Sequence, residues 1–394
     1  MPVTRDEFLS GFEALPHNLR PLAADFALRH LGALEPETRE LLVGVVRMAT
    51  VALMARNVVV RDIRSALDDA GVPTLFLKGV ALAEQVYPSS ATRTSSDVDV
   101  WIRSDDLSVA VHALSGSGFV VPPRFREVSD PRGPVPMTYF ERSVAGVTVL
   151  VDLHVRPMSL RDLTDGEVRA LWESRVLVGP SGLPVLPLDA QLLHVCLHTA
   201  RSHAFVSSLK VLVDIAMIVR AWPDEALWKA FSSRVREVRA EHSVFVCLEL
   251  ARELLGVTIP HRVVEELAVG GDRSVLDQAR TLLWSREPNL PLGTIKLLGG
   301  GLPEPGWFRN RLMLRILIDA RERRRMSSTE RPPLRLLLRF FWRRLASLSG
   351  VILGGEAFRA SFWRRVGTER RRNRLLRDLY RVQARQSRPS TIEP

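Results

Sequence analysis

Residues 97–102 read Asp-Val-Asp-Val-Trp-Ile. In a β-strand alternate side chains project to the same face, so Asp97 and Asp99 point one way and Val98 and Val100 the other. Such a strand needs an apolar core against its valines. Its two carboxylates, on one face, repel unless a cation sits between them or water screens them. Any fold for this chain must therefore contain a sheet with one dry face and one polar face.

The flanking sequence supplies the rest of that sheet. TLFL (74–77) is a short apolar strand, GVALAEQVY (79–87) a short helix stopped by Pro88, and SSATRTSS the loop entering the acidic strand. Ser104 with Asp105 and Asp106 starts a helix whose stripe is Leu107, Val111 and Leu114, ended by Gly116 and Gly118. FVVPPRF reads as a strand. MTYFERSV and VTVLVDLHV flank Ala145-Gly146, a hairpin pattern. Upstream, residues 5–70 read as helices, with apolar residues at three and four spacing up to Gly71 and Pro73. Downstream, residues 156–286 read as helical.

The expected fold is α+β: a small mixed-sheet core in a mostly helical chain. Its divisions are a helical segment 1–70, a core 71–155, a helical domain 156–286, a Gly/Pro-rich linker 287–308 and an Arg-rich helical extension 309–394. The glycine triplet 299–301 lacks the Gly-Lys-Ser/Thr ending of a P-loop and reads as a turn within that linker.

D-x-D alone is common on exposed strand faces. Three features give it chemical meaning here. Asp152 lies in the apolar strand VTVLVDLHV, and a third carboxylate is what a site for two divalent ions requires. Lys78-Gly79 sits at a strand-to-helix junction, where glycine permits close backbone approach to a phosphate and lysine adds a point charge. Arg93 lies in the loop before the acidic strand, within reach of the same phosphates. A hard ion such as Mg²⁺ suits carboxylates plus phosphate oxygens.

Leu77-Lys78-Gly79, Tyr87-Pro88, Arg93, Asp97-Val98-Asp99-Val100 and Asp152-Leu153-His154 together resemble the uncharacterised nucleotidyltransferase family of the DNA polymerase β superfamily. The resemblance covers roughly residues 70–220 and includes the stretch from Leu193-His194 to Asp214-Ile215. Lys78-Gly79 stands where superfamily members carry Gly-Ser, and Val155 where the family commonly has an aromatic. The resemblance implies transfer of a nucleoside monophosphate from ATP or another NTP to an acceptor, with release of pyrophosphate. It implies Mg²⁺ or Mn²⁺ held by Asp97, Asp99 and Asp152, with Asp152 also helping to activate the acceptor, and nucleotide contacts from Lys78, Gly79 and Arg93.

Other residues admit two readings each. His154 shares a strand face with Asp152, and is either a contact for acceptor or phosphate or a hydrogen-bonded strand histidine. His194 and His198, four apart on a helix with His203 nearby, suggest zinc, polar residues facing the cleft or partly buried, or nucleotide or acceptor binding, but no H-E-x-x-H pattern is present. Lys210 and Asp214, also four apart, form either a helical ion pair or part of the cleft opposite the metals. Cys196 and Cys247 lie in apolar runs and read as core; two cysteines exclude a disulfide scaffold.

Charge is uneven. Residues 309–394 hold 23 Arg, no Lys and 7 acidic residues, a balance of +16 that leaves −5 for the first 308 residues of a chain at +11. Arginines there alternate with Trp, Phe and Leu, as in nucleic-acid contacts, in helices on an anionic membrane surface, or in a solvated helical appendage. An alternative reading of the whole is a catalytically silent nucleotide- or RNA-binding protein using that extension. The start MPVTRDEFLS lacks a basic segment followed by an apolar one, and no uninterrupted apolar run of about 18 residues exists. A cytoplasmic protein without a transmembrane segment is expected.

Overall fold

The computed structural model describes residues 5–31, 34–122, 137–156, 163–206, 209–222, 225–268 and 273–284, together with Arg371 and Leu375. The linker 287–308 and, those two residues apart, the extension 309–394 lie outside the described residues, as do residues 123–125 of FVVPPRF; of its first four residues, expected as a strand, Val120 alone forms an isolated antiparallel bridge, to Glu141.

The chain forms two compact units, residues 1–203 with 208–271, and 204–207 with 272–394. The first opens with α1 (Arg5–Ala14), α2 (Arg20–His30) and the 34-residue α3 (Pro36–Asp69). Gly71, at φ +70°, takes the left-handed conformation that lets the chain turn into β1 (Leu75–Leu77). Then follow α4 (Lys78–Gln85), β2 (Asp97–Trp101), a 3₁₀ turn (Ser104–Asp106), α5 (Leu107–Gly116), β3 (Met137–Val144) and β4 (Val147–His154). Ala145 and Gly146 both have positive φ, +48° and +80°, so the β3–β4 connection is the tight two-residue hairpin the sequence suggests.

The next stretch departs from the sequence reading. After α6 (Asp165–Glu173), the segment expected to be helical contributes two short strands, β5 (Val176–Val178) and β6 (Leu183–Val185). The sheet therefore extends past residue 155, in the order β3-β4-β2-β1-β6-β5, with β2–β4 and β1–β6 parallel and the other pairs antiparallel. Helices resume with α7 (Leu188–Leu197), a π-helical turn (His198–His203), α8 (Leu209–Arg220), α9 (Glu225–Glu237), α10 (Glu241–Leu255) and α11 (His261–Leu267). In the second unit, α12 (Arg273–Leu283) buries Val275, Leu276, Ala279, Leu282 and Leu283.

The alternation of β2 has the consequence read from sequence. Val98 and Val100 are fully buried with Phe76, Phe140, Val151 and Leu153, against Val59, Ile63 and Leu67 of α3 and Leu107, Ala110 and Leu114 of α5. At about 25 cal/mol per Å² of apolar surface, this core dominates the stability of the sheet. One sheet face is thus closed by α3 and α5, and the odd-numbered residues of β2 go to the opposite face.

By length and composition α3 could cross a membrane, the one described helix of which this is true, although Arg47 and Arg56 interrupt its apolar run. Its C-terminal half, however, is core: Val59, Ile63 and Leu67 are fully buried.

Candidate functional site

β2 and β4 lie side by side in parallel, in a register that sets Asp99 opposite Asp152 and Trp101 opposite His154. Tyr139 of β3 faces Asp152 from the other side. The third carboxylate is therefore a direct neighbour of the acidic strand. Asp99, Asp152 and His154 each offer a ligand atom, all within 4.8 Å of one another. Asp97, expected to share this set, lies outside it; its Oδ1 accepts a hydrogen bond from Ser95 Oγ at 2.8 Å.

Asp99 is the pivot. Lys78 Nζ donates to its Oδ1 at 2.6 Å and His154 Nε2 lies 2.9 Å from the same oxygen. Burial opposes the charge on Asp99, but the ammonium and the imidazole hydrogen bond outweigh it and hold its carboxyl well below the usual range. Asp152 makes no ion pair among the described residues, and Lys78 lowers it less than its other surroundings raise it. Burial, then the charges of Asp99 and Asp97, push it up to about 7. Tyr139 is raised to about 12 by burial and by Asp152. Three carboxylates share less positive charge than they need.

Lys78 reaches Asp99 from the β1–α4 junction with φ +48°, a left-handed backbone rarely adopted by a side-chain-bearing residue. Gly79 is required for contact with the following loop: a Cβ there would meet Ser95 Oγ at 2.6 Å and Ser95 Cβ at 2.9 Å. Its missing side chain is thus filled by the loop that carries Ser95 to Asp97.

Arg93 does something other than the phosphate contact expected of it. Its Nε and Nη2 donate to the two oxygens of Asp214 at 2.5 and 2.7 Å, and its Nη1 donates to the Thr94 carbonyl. Tyr87 Oη donates to Asp214 Oδ1 at 2.6 Å. Arg93 and Asp214 are 5% and 2% exposed, so this is a fully desolvated ion pair tying α8 to the loop before β2. Although burial works against the Arg93 charge, Asp214 outweighs it and raises the guanidinium's pKa; burial and Asp214 together raise the Tyr87 phenol. Arg56 of α3 completes the anchor, donating to the carbonyls of Arg93 and Ser90.

Asp214 is therefore not the partner of Lys210, and the helical Lys210–Asp214 ion pair does not form. Lys210 makes no ion pair among the described residues. Its ammonium is lowered to about 8 by burial and by Arg93, against the attraction of Asp214, Asp97 and Asp99.

His194 is buried and lowered to about 3, by burial first and then Lys78, while Asp99 pulls the other way. His198 is likewise lowered well below the ordinary histidine value by burial, Lys78 and His203. Its Nε2 lies 2.9 Å from His203 Nε2 across the π-helical turn. Burial thus disfavours the charged form of both His194 and His198. Among the described residues the three-ligand group is the Asp-Asp-His set, and these helical histidines do not form one. Cys196 and Cys247 are buried and unbridged, as core residues should be.

Sequence reasoning missed the Tyr87–Asp214–Arg93 network, the role of Arg56, and Tyr139. Tyr87, Arg93 and Asp214 were all singled out, but their sequence separations of 121 and 127 residues carry no pairing signal.

A family model described as "Uncharacterised nucleotidyltransferase" matches residues 14–256, which span every residue of this site. No curated protein matches, and no solved structure does.

Proposed function

The chain belongs to the uncharacterised nucleotidyltransferase family, and on that premise we propose that it transfers a nucleoside monophosphate from an NTP to an acceptor nucleophile, releasing pyrophosphate. The observation that carries this reading is the register of β2 and β4, which sets Asp99 directly opposite Asp152 with His154 beside them.

The donor set fits a hard divalent ion. Two carboxylates and an imidazole lie within 4.8 Å of one another, and Asp152 is pushed up by burial first and then by the charges of Asp99 and Asp97. Asp99, Asp152 and His154 would hold Mg²⁺ or Mn²⁺, with Asp97 beside them. Such an ion, when bound, neutralises triphosphate charge and favours the attacking oxygen.

The chain's own residues supply the rest. Lys78, 20% exposed and bonded to Asp99 through one ammonium, is placed to exchange that contact for a phosphate oxygen. Lys210 offers a second cation on the helical side. Asp152 accepts a hydrogen bond from the acceptor hydroxyl or amine and orients it. In the reaction the acceptor atom bonds to the α-phosphorus, the bond to the pyrophosphate oxygen breaks, and the acceptor's proton passes to a carboxylate or to solvent. The Arg93–Asp214 pair holds the loop that delivers Ser95 to Asp97.

The test is purified protein with Mg²⁺ or Mn²⁺ and each of four α-labelled NTPs, with and without host lysate, beside an Asp97→Ala/Asp99→Ala control. Label passing to a lysate component only when the acidic pair is intact supports the reading and names the base. Equal labelling by the control overturns it.

A further inference from the structure

Lys78 stands where a regular strand would not put it. In β1, Phe76 lies opposite Val100 and faces the dry core, while Leu77 lies opposite Asp99 on the carboxylate side. A strand continued by one residue would send residue 78 to the dry side. The left-handed backbone at Lys78, φ +48°, breaks that alternation at the start of α4, and the ammonium reaches Asp99 Oδ1 at 2.6 Å. Such a conformation is costly for a residue with a side chain and persists where its surroundings demand it.

A carboxylate oxygen has two lone pairs. Both on Asp99 Oδ1 are engaged, one by Lys78 Nζ and one by His154 Nε2 at 2.9 Å. A divalent ion drawn by Asp99 and Asp152 therefore meets a positive charge on the oxygen it would take. Ammonium and ion repel at that separation, so each disfavours the other. The His154 side chain is 7% exposed and belongs to β4, whereas that of Lys78 is 20% exposed and ends a flexible four-carbon stem. The ammonium is the group that can leave. Its departure is offset when another anion receives it, and the triphosphate of an NTP is such an anion. Arg93 cannot take that part, because Asp214 and the Thr94 carbonyl occupy its guanidinium.

On the nucleotidyl-transfer reading, we propose that Lys78 is a built-in counter-ion that makes divalent-ion binding conditional on nucleotide. Without NTP the ammonium competes with the ion for Asp99. With NTP it moves to a phosphate oxygen, and Asp99 is released to the ion. Ion and nucleotide thus strengthen each other's binding through this side chain, by the same factor in each direction. Lys78 acts through Asp99 and is in this respect a positioning residue.

The experiment measures Mn²⁺ binding to the full chain by electron paramagnetic resonance at fixed pH, with and without the α,β-methylene analogues of ATP, GTP, CTP and UTP. The variants are Lys78→Met, Lys78→Arg and Lys78→Met/Asp99→Asn, each checked by its melting temperature. Lys78→Gln, which keeps a donor for Asp99, replaces Lys78→Met if that variant melts early. Without nucleotide, Lys78→Met should bind Mn²⁺ about tenfold more tightly than wild type. Lys78→Arg should show no such gain, and the added Asp99→Asn should remove it. The analogue that binds should tighten Mn²⁺ binding less in Lys78→Met than in wild type. Equal nucleotide-free affinity in wild type and Lys78→Met overturns the proposal, as does a gain that survives Asp99→Asn or a nucleotide effect undiminished in Lys78→Met. Label transfer is read separately: transfer by a chain whose Mn²⁺ affinity ignores Lys78 sinks the counter-ion alone, and neither transfer nor Mn²⁺ binding sinks both readings.

Discussion

Two buried aspartates divide the labour in this protein. Asp214 accepts three hydrogen bonds, two from Arg93 and one from Tyr87, in surroundings closed to water. Asp99 is as deeply buried, yet its cation is a single lysine that is 20% exposed, and its neighbour Asp152 feels that lysine less than it feels burial and the charges of Asp99 and Asp97. A planar guanidinium that fits a carboxylate along two parallel bonds is hard to displace, whereas an ammonium on a flexible stem is a replaceable point charge. The first pair is hard to exchange; the second, on these grounds, is the easier of the two to exchange.

Substitutions should separate the two. The largest effect is expected from Asp99→Asn: loss of nucleotidyl transfer by about three orders of magnitude or more, comparable to removing a main electrostatic stabiliser of a transition state, with the fold kept. Transfer at the wild-type rate in that variant would remove the site from consideration. Next comes Asp214→Asn, which strands the Arg93 guanidinium in the interior. It should cost about 3–5 kcal/mol of stability, read as a fall in urea midpoint; a midpoint within error of wild type would mean the pair is not structural.

Asp152→Asn acts in the opposite direction on stability. The group's folded pKa, about 7, lies above the ordinary value of 3.8, so its contribution is favourable in acid and is lost as pH rises from about 4 through 7. At pH 8 the metal-free wild type carries an ionised, crowded Asp152 that the asparagine variant lacks. The variant should therefore melt several degrees higher there, at about 2–4 °C per kcal/mol, with no gain at pH 4. Added Mg²⁺ should narrow the gap by stabilising the wild type alone. A variant that melts lower than wild type at pH 8 without metal contradicts the crowding argument.

The smallest effect is expected at Lys210. Its folded pKa, about 8, lies below the ordinary 10.5, so its contribution to stability is present above that value and lost as pH falls through about 8. Lys210→Met should raise stability modestly at pH 7 while weakening NTP binding about tenfold, one lost charged contact. Wild-type affinity should itself decline as pH rises through about 8, and a profile indifferent to pH in that range would argue against a phosphate contact.

Much of the sheet was legible. The alternation at 97–101 predicted which face of β2 is dry, and Ala145-Gly146 predicted the hairpin. The strands β5 and β6 were not read, although Val176-Leu177-Val178 and the turn through Gly179 and Gly182 carry a strand-turn-strand signal. Each strand is only three residues long, and Pro184 argues against a strand in local terms. Of the site, the carboxylates were evident from residue type and strand position. The substitution of His154 for Asp97 in the ligand group was not, because it depends on the offset between β2 and β4.

By itself the sequence determined the periodicities, and so the identity of the carboxylate face, the glycine-bearing turns and the uneven distribution of charge. These are local properties, set by side-chain spacing and backbone sterics within a few residues. Only the tertiary structure decided that Asp99 faces Asp152, that Arg93 is taken by Asp214 rather than left for phosphate, and that Lys210 is left without its helical neighbour. Those outcomes turn on which groups meet across long stretches of chain, 53 residues between Asp99 and Asp152 and 121 between Arg93 and Asp214; for the latter pair the cost of an unpaired ion in a low-dielectric interior selects the partner.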